Sequence, residues 1–239
     1  MPETAGAYWL EAIHPPAATL WEGLWVLDKP QGLTSNRVLQ RLRKASGRLK
    51  MGYLGTLDPL ATGVLPIGVG WATKLLPFIP DNPKEYRAEM TLGLTTDTQD
   101  ITGNVLSRSD QPVPGRPALE EACRFFLGSQ LQTPPAYSAL KYRGKPLYRW
   151  AREGNPVIKP PRPIAIAAIR ITAVSGQTVS LTVTCSPGTY IRTLCADIGE
   201  RLGCGATLSA LERLRSGPFT LEKALTPEAL ETAVGHGEP

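Results

Sequence analysis

The segment Gly52-Tyr53-Leu54-Gly55-Thr56-Leu57-Asp58-Pro59-Leu60-Ala61-Thr62-Gly63 constrains this chain more than any other stretch. Glycines on both sides let the backbone bend, and Pro59 fixes its own φ while pushing Asp58 towards extended or turn geometry. A regular helix cannot run through such a segment. Asp58 is therefore expected on a sharp loop with its carboxylate presented outward. No other carboxylate lies in the twenty-nine residues before it or the twenty-two after it. A lone, rigidly held Asp suggests nucleophilic work rather than a paired acid and base. The alternative is an Asp-Pro turn without chemistry, and the rest of the chain decides between the two.

Several chemistries are excluded by what the chain lacks. Its two histidines are His14, in a Pro-rich lead, and His236, three residues from the C-terminus. Ser-His-Asp, Cys-His and His-built metal sites are thereby set aside, leaving Asp, Glu, Tyr, Lys or Arg for catalysis. The four cysteines (Cys123, Cys185, Cys195, Cys204) form no C-x-x-C pair, so neither a zinc site nor a disulfide framework is implied. A chain of 239 residues can bury a core without such crosslinks. No run of eighteen apolar residues and no basic-then-apolar leader is present, so a soluble, cytoplasmic protein is expected. Gly68-Val69-Gly70-Trp71-Ala72-Thr73 only superficially resembles a dinucleotide fingerprint, because Thr73 stands where the third glycine belongs.

The net charge of +5 is unevenly distributed. Residues 37 to 50 carry +6 and residues 141 to 162 carry +6, which leaves −7 for the remainder. Two concentrated basic patches on an acidic body point to a polyanion partner, with ordinary solvated faces as the alternative. Thr34-Ser35 caps a predicted helix through about Ala45, closed by Gly47. Val38, Leu39 and Leu42 form its apolar stripe. On another face Arg37, Arg41, Lys44 and Arg48 recur at i, i+4, i+7 and i+11, a spacing suited to tracking phosphates.

Residues 1 to 22 read as a loosely ordered lead and Leu24 to Leu27 as a short buried strand. Val64 to Val69 is apolar and glycine-punctuated, and Trp71 to Phe78 returns to helix-like spacing. Tyr86 to Leu92 alternates as a strand with one wet face. Pro117 to Leu127 opens with proline as a helix. Residues 130 to 163 are rich in Pro, Tyr and basic residues, with one short helix near Leu147 to Arg152. Ile164 to Val174 and Val179 to Cys185 form a hairpin about Ser175-Gly176-Gln177. Tyr190 to Leu202 and Ala206 to Leu214 read as helices. The expected class is α/β (α+β), with a mixed, largely antiparallel sheet flanked by helices.

Tyr137, Lys141, Tyr142, Arg143, Tyr148, Arg149 and Trp150 interleave flat rings with cations. Cations meet phosphates while rings stack on bases, at roughly 1–3 kcal/mol per stacked base, so this pattern suits RNA. Pro187-Gly188-Thr189-Tyr190-Ile191-Arg192-Thr193 repeats it at a helix start. A buried Arg needs an acidic partner and the lone Asp58 needs a cation to stay ionised; pairing the two would lower the Asp58 pKa and hold its carboxylate in one orientation.

Six ordered motifs then resemble the TruB family of tRNA pseudouridine synthases, from about Leu24 to Gly217. They are Asp28-Lys29-Pro30-Gln31-Gly32-Leu33-Thr34-Ser35, Gly55-Thr56-Leu57-Asp58-Pro59, Lys84-Glu85-Tyr86-Arg87, Tyr137-Ser138-Ala139-Leu140-Lys141, Gly188-Thr189-Tyr190-Ile191-Arg192-Thr193, and the pair Leu202-Gly203-Cys204-Gly205-Ala206 with Leu211-Glu212-Arg213-Leu214. The resemblance implies a pseudouridine synthase fold that isomerises uridine 55 in the tRNA T-loop. It implies Asp58 as nucleophile, Tyr86 against the target base, Arg192 paired to Asp58, and Tyr190 and Leu211 lining the pocket. Lys29 and Tyr53 join these as substrate-binding residues.

Arg37, Arg41, Lys44, Arg48, Lys141, Arg143, Lys145 and Arg149 would meet the RNA backbone, the last four from an insertion at about 130–162 that docks on the T-arm. The catalytic domain would span 23–217, with 218–239 a short tail of one strand and one helix in place of a full PUA domain. Bacterial relatives usually carry His where this chain has Tyr53, which can stack but cannot act as an imidazole.

The implied reaction breaks the N1–C1′ bond, rotates the base and rejoins it at C5. It needs no metal, nucleotide or redox cofactor. The carboxylate adds either to the base or to C1′. A monomer acting on tRNA, with no membrane partner, is expected. A non-catalytic RNA binder or RNA chaperone on the same fold is the alternative. A glycoside hydrolase would need a second catalytic acid that no motif supplies.

Overall fold

The computed structural model describes residues 22–235, the last three by backbone alone. The lead expected over 1–22, except Glu22, lies outside the described residues, as do His14 and His236. The described residues divide into two compact units, one formed by those up to 82 together with those from 213 on and the other by 83–212.

The first unit opens with strand β1 (Gly23–Lys29), helix α1 (Ser35–Ala45), and strands β2 (Met51–Tyr53) and β3 (Thr62–Val69). β3 is apolar and buried along almost its whole length. β1 runs antiparallel to it from Gly23 opposite Val69 to Lys29 opposite Gly63, and β2 pairs with Ile67 to Val69. Thr34 caps α1 by accepting the Arg37 N–H at 3.1 Å. The expected stripe of Val38, Leu39 and Leu42 is buried.

The helix-like stretch expected over 71–78 is instead two short 3-10 segments, Gly70–Lys74 and Leu76–Phe78. Pro77 has no N–H to give, and the chain tightens to bonds from Leu75 N to Ala72 O and from Phe78 N to Leu75 O.

The second unit continues with strands β4 (Lys84–Leu92), β5 (Leu94–Thr96) and β6 (Val105–Arg108), helix α2 (Arg116–Phe125) and β7 (Gly128–Gln132). A small hairpin, β8 (Lys141–Tyr142) and β9 (Lys145–Pro146), leads into helix α3 (Leu147–Arg152). Then come β10 (Arg162–Ser175), β11 (Thr178–Cys185), helix α4 (Ile191–Arg201) and β12 (Ala206–Ser216).

β4, β11, β10 and β7 lie side by side, each antiparallel to the next, with Val183 opposite Tyr86. β4 buries Lys84, Tyr86, Ala88, Met90 and Leu92 on one face, the alternation read from its sequence. α2 packs on β10 and α4 on β4.

Ala206 to Leu214, expected to be helical, is the strand β12. Its residues are good helix formers, but neighbouring backbone claims them. Leu208 N–H donates to Gln99 O at 3.1 Å, and Leu208 O accepts the Ile101 N–H at 2.8 Å. Sheet context overrides propensity here. β12 ends in the first unit, which is completed by β13 (Phe219–Thr220) and helix α5 (Pro227–Gly235), the strand and short helix expected of the tail.

Candidate active site

In the first unit, Asp58 sits where its sequence demands, on a loop between β2 and β3. Gly55 and Gly63 adopt φ of +70° and +95°, a conformation that side chains disfavour, so glycines form both shoulders of the turn. Asp58 O accepts Ala61 N at 3.1 Å and closes a turn over Pro59, while Gly32 N donates to Pro59 O at 2.7 Å. At the start of α1 the buried Ser35 hydroxyl accepts Leu57 N–H at 2.9 Å and donates to Leu57 C=O at 3.1 Å. The residues on either side of Asp58 are therefore each held by a separate segment, and Asp58 itself is half-buried.

Two buried cations lie behind this loop. Lys29, expected among the substrate-binding residues, is fully buried. Its Nζ donates to Pro30 O at 2.8 Å and Leu33 O at 2.7 Å. Burial pushes its pKa down to about 8. The Asp58 charge opposes that fall, Arg213 adds to it and Asp28 opposes it. Arg213 is equally buried and donates from Nε to Val64 O at 2.7 Å and from Nη2 to Gly55 O at 3.0 Å. Tyr53, on β2 opposite Ile67, is half-buried.

In the second unit, Arg192 lies in the first turn of α4 with its side chain about 5% exposed. Nη1 donates to Thr98 O at 2.9 Å and to Asp100 Oδ2 at 3.4 Å, and Nη2 donates to Tyr137 O at 2.9 Å. Asp100 is itself buried and organised. Its Oδ1 accepts the Thr98 hydroxyl at 3.0 Å, the Thr102 N–H at 3.0 Å and the Thr102 hydroxyl at 2.5 Å. Gln132 pairs with the Tyr190 backbone in both directions, donating to O at 3.0 Å and accepting N–H at 2.8 Å. Tyr86 and Leu211 are buried and Tyr190 is half-buried.

Sequence reasoning missed Asp100, Arg213, Ser35 and Gln132. A signal existed for Asp100, since Thr98-x-Asp100-x-Thr102 is a run in which short polar side chains bind local backbone.

The insertion carries rings and cations in contact with one another. Tyr142 stands between Arg143 at 5.3 Å and Lys159 at 4.9 Å, Lys145 lies 4.5 Å from the Trp150 ring, and Arg152 lies 5.5 Å from that of Tyr148. Arg143 and Gly144 both have positive φ and make the tight two-residue turn between β8 and β9. Lys141, Arg143 and Arg149 are exposed, whereas Lys145 also pairs with Glu153.

The stripe on α1 differs from expectation in two ways. The helix ends at Ala45, so Arg48, with φ of +69°, lies off its face. Arg41, though exposed, is held by Glu231 at 2.6 Å and Glu228 at 2.9 Å from α5, leaving Arg37 and Lys44 as the cations of that helix face with no salt bridge among the described residues.

Among the described residues, no helix is long and apolar enough to cross a membrane, and no cluster of three or more His, Cys, Asp or Glu is placed to hold a metal ion.

A family model for the N-terminal domain of TruB family pseudouridylate synthases matches residues 43–191, and one for the tRNA pseudouridylate synthase B C-terminal domain matches residues 192–238. The tRNA pseudouridine synthase B of Geotalea uraniireducens is 51% identical over 86% of this chain and 66% of its own length. That of Syntrophus aciditrophicus is 48% identical over 90% of this chain and 68% of its own. The chain thus spans about two thirds of the length of these curated relatives. Among solved structures, a chain of a Cbf5-Nop10-Gar1 complex superposes with a TM-score of 0.71 at 31% identity, covering 92% of this chain and 56% of that one.

Proposed function

This chain belongs to the TruB family of pseudouridylate synthases, and from that premise we propose that it isomerises uridine 55 in the T-loop of tRNA. Asp58 is the nucleophile, and Arg192, held by Thr98 O, Asp100 and Tyr137 O, is a catalytic cation. Tyr86, Tyr190 and Leu211 meet the flipped base, and Tyr53 stacks nearby. Lys29 acts from beneath the loop as a buried positive charge.

The observation that carries this reading is the Asp58 turn. One carboxylate stands alone in its stretch of chain, on a loop gripped at Leu57 by Ser35, at Pro59 by Gly32 and at Gly55 by Arg213. A nucleophile must meet one atom at one angle, and such a loop spends no binding energy on ordering itself.

Flipping the base out of the T-loop costs a few kcal/mol. Stacking on the aromatics of the insertion and phosphate contacts from Lys141, Arg143, Arg149, Arg37 and Lys44 offset it. Pseudouridylation conserves every atom of the nucleoside except the proton exchanged at C5, so side chains alone suffice for it.

Tritium release from C5-labelled uridine in an unmodified tRNA transcript tests this directly. The wild type should release label, and Asp58→Asn should not, with RNA affinity nearly unchanged. Residual turnover above about 1% in Asp58→Asn would rule out Asp58 as nucleophile, since losing one costs orders of magnitude. Binding without any release by the wild type would favour an RNA chaperone.

A further inference from the structure

Arg213 heads the largest fully buried side chains of the described residues, yet it carries a permanent charge. Burying a guanidinium is costly, and packing alone would be served as well by an apolar side chain of the same volume. The position of its two bonds gives the charge a purpose. Nη2 holds Gly55 O, three residues before Asp58, and Nε holds Val64 O, six residues after it. Nε and Nη2 belong to one rigid plane, so the two carbonyls they hold are kept at a set separation. One side chain therefore spans the turn from shoulder to shoulder.

The backbone beside Arg213 is equally tight. A Cβ on Gly63 would lie 2.3 Å from Arg213 O and 2.9 Å from its N, so the far shoulder of the loop is pressed against the strand that delivers the guanidinium. β12 brings Arg213 to the loop, and the loop closes onto β12.

We propose that Arg213 is the positioning residue for Asp58: by bridging Gly55 and Val64 it fixes the span of the turn and hence the point at which the carboxylate meets the substrate. The inference rests on Asp58 being the nucleophile. Arg213 touches no substrate and acts only through the loop.

Arg213→Lys keeps a buried charge but reaches only one carbonyl at a time, and Arg213→Met keeps bulk without charge. For both, the single-turnover rate at saturating unmodified tRNA is measured beside Kd and Tm, well below each variant's melting temperature. The single-turnover rate of Arg213→Lys should fall about 10- to 100-fold, the scale expected of a displacement near 1 Å, while Kd changes less than about threefold. Arg213→Met should fall further at similar Kd.

A folded Arg213→Lys with wild-type rate overturns the proposal, and so does a rate loss matched by an equal loss of affinity. Failure of both variants to fold also overturns it, because Arg213 would then serve stability alone. Asp58→Asn, run in parallel, separates the two ideas. Turnover in that variant refutes the nucleophile itself, whereas an inactive Asp58→Asn beside a fully active Arg213→Lys refutes only the role of Arg213.

Discussion

Replacing Lys141 and Arg143 together by Ala should flatten the salt dependence of tRNA binding by about 1.4–1.8 in the slope of log K against log salt. The figure follows from which cations are already engaged. Each phosphate contact releases condensed counterions and contributes about 0.7–0.9 to that slope. Lys141 and Arg143 are exposed, and among the described residues neither has a carboxylate partner, so each can contribute in full. Lys145 cannot, because it is paired with Glu153 and lies over Trp150. A phosphate reaching it exchanges one anion for another, with less net counterion release. Lys145→Ala should therefore flatten the slope by well under 0.7, and Glu153→Gln should steepen it by up to about 0.7–0.9.

At the level of affinity, a slope difference near 1.6 means that the gap between wild type and the double variant narrows about tenfold from about 50 to about 200 mM salt. Fluorescence anisotropy with an unmodified tRNA across that range reads all of these quantities. An unchanged slope in the double variant would show the insertion to be a solvated face. A Lys145 effect as large as that of Lys141 or Arg143 would refute the account of engaged charges.

Two further outcomes are expected. Arg192→Lys should lose about 100-fold or more in single-turnover rate at nearly unchanged Kd, because an ammonium cannot reproduce the planar fork that meets Asp100, Thr98 O and Tyr137 O; near-normal turnover would make Arg192 a structural or phosphate contact. Burial holds Lys29 at about 8 in the folded chain against 10.5 for the free side chain, so the unfolded chain binds the extra proton between those values. Stability from this site therefore rises with pH across that window, and the cost of the buried charge is present in full below it. The unfolding free energy of wild type relative to Lys29→Met should climb by on the order of 2–3 kcal/mol from about pH 8 to about pH 10.5, read from urea melts, and a flat difference would refute it.

Elements whose signal is local were legible in the sequence. Thr34 with the stripe of Val38, Leu39 and Leu42 gave α1, and Ser175-Gly176-Gln177 between two β-branched runs gave the hairpin of β10 and β11. The Asp58 turn was legible for the same reason, since Gly55, Pro59 and Gly63 restrict backbone angles without help from distant residues. Charge was legible only as a total. Nothing in the spacing of Arg37, Arg41 and Lys44 reveals that Glu228 and Glu231, nearly two hundred residues later, hold the middle one. Ion pairs of that sequence separation are made by tertiary packing, so a basic stripe read from sequence is an upper bound on the charge open to a partner.

The most consequential error was one of period. Ala206 to Leu214 is built largely from Ala, Leu, Glu and Arg, and reading it as a helix gives Arg213 no defined neighbour. As a strand, Leu211 and Arg213 fall two apart and are both buried, with the residues between and after them only half-buried. The strand exists because the backbone of Gln99 and Ile101 offers bonds that a helix would forgo, and that is not written in the segment itself. Gly63 holds a trace of it, because a glycine at φ +95° with no room for a Cβ implies another backbone against it. A residue that bridges both shoulders of the Asp58 turn was thus hidden by a propensity rule, while the turn was exposed by one. A buried cation in a run of helix formers is best sought by asking which distant glycine needs a neighbour.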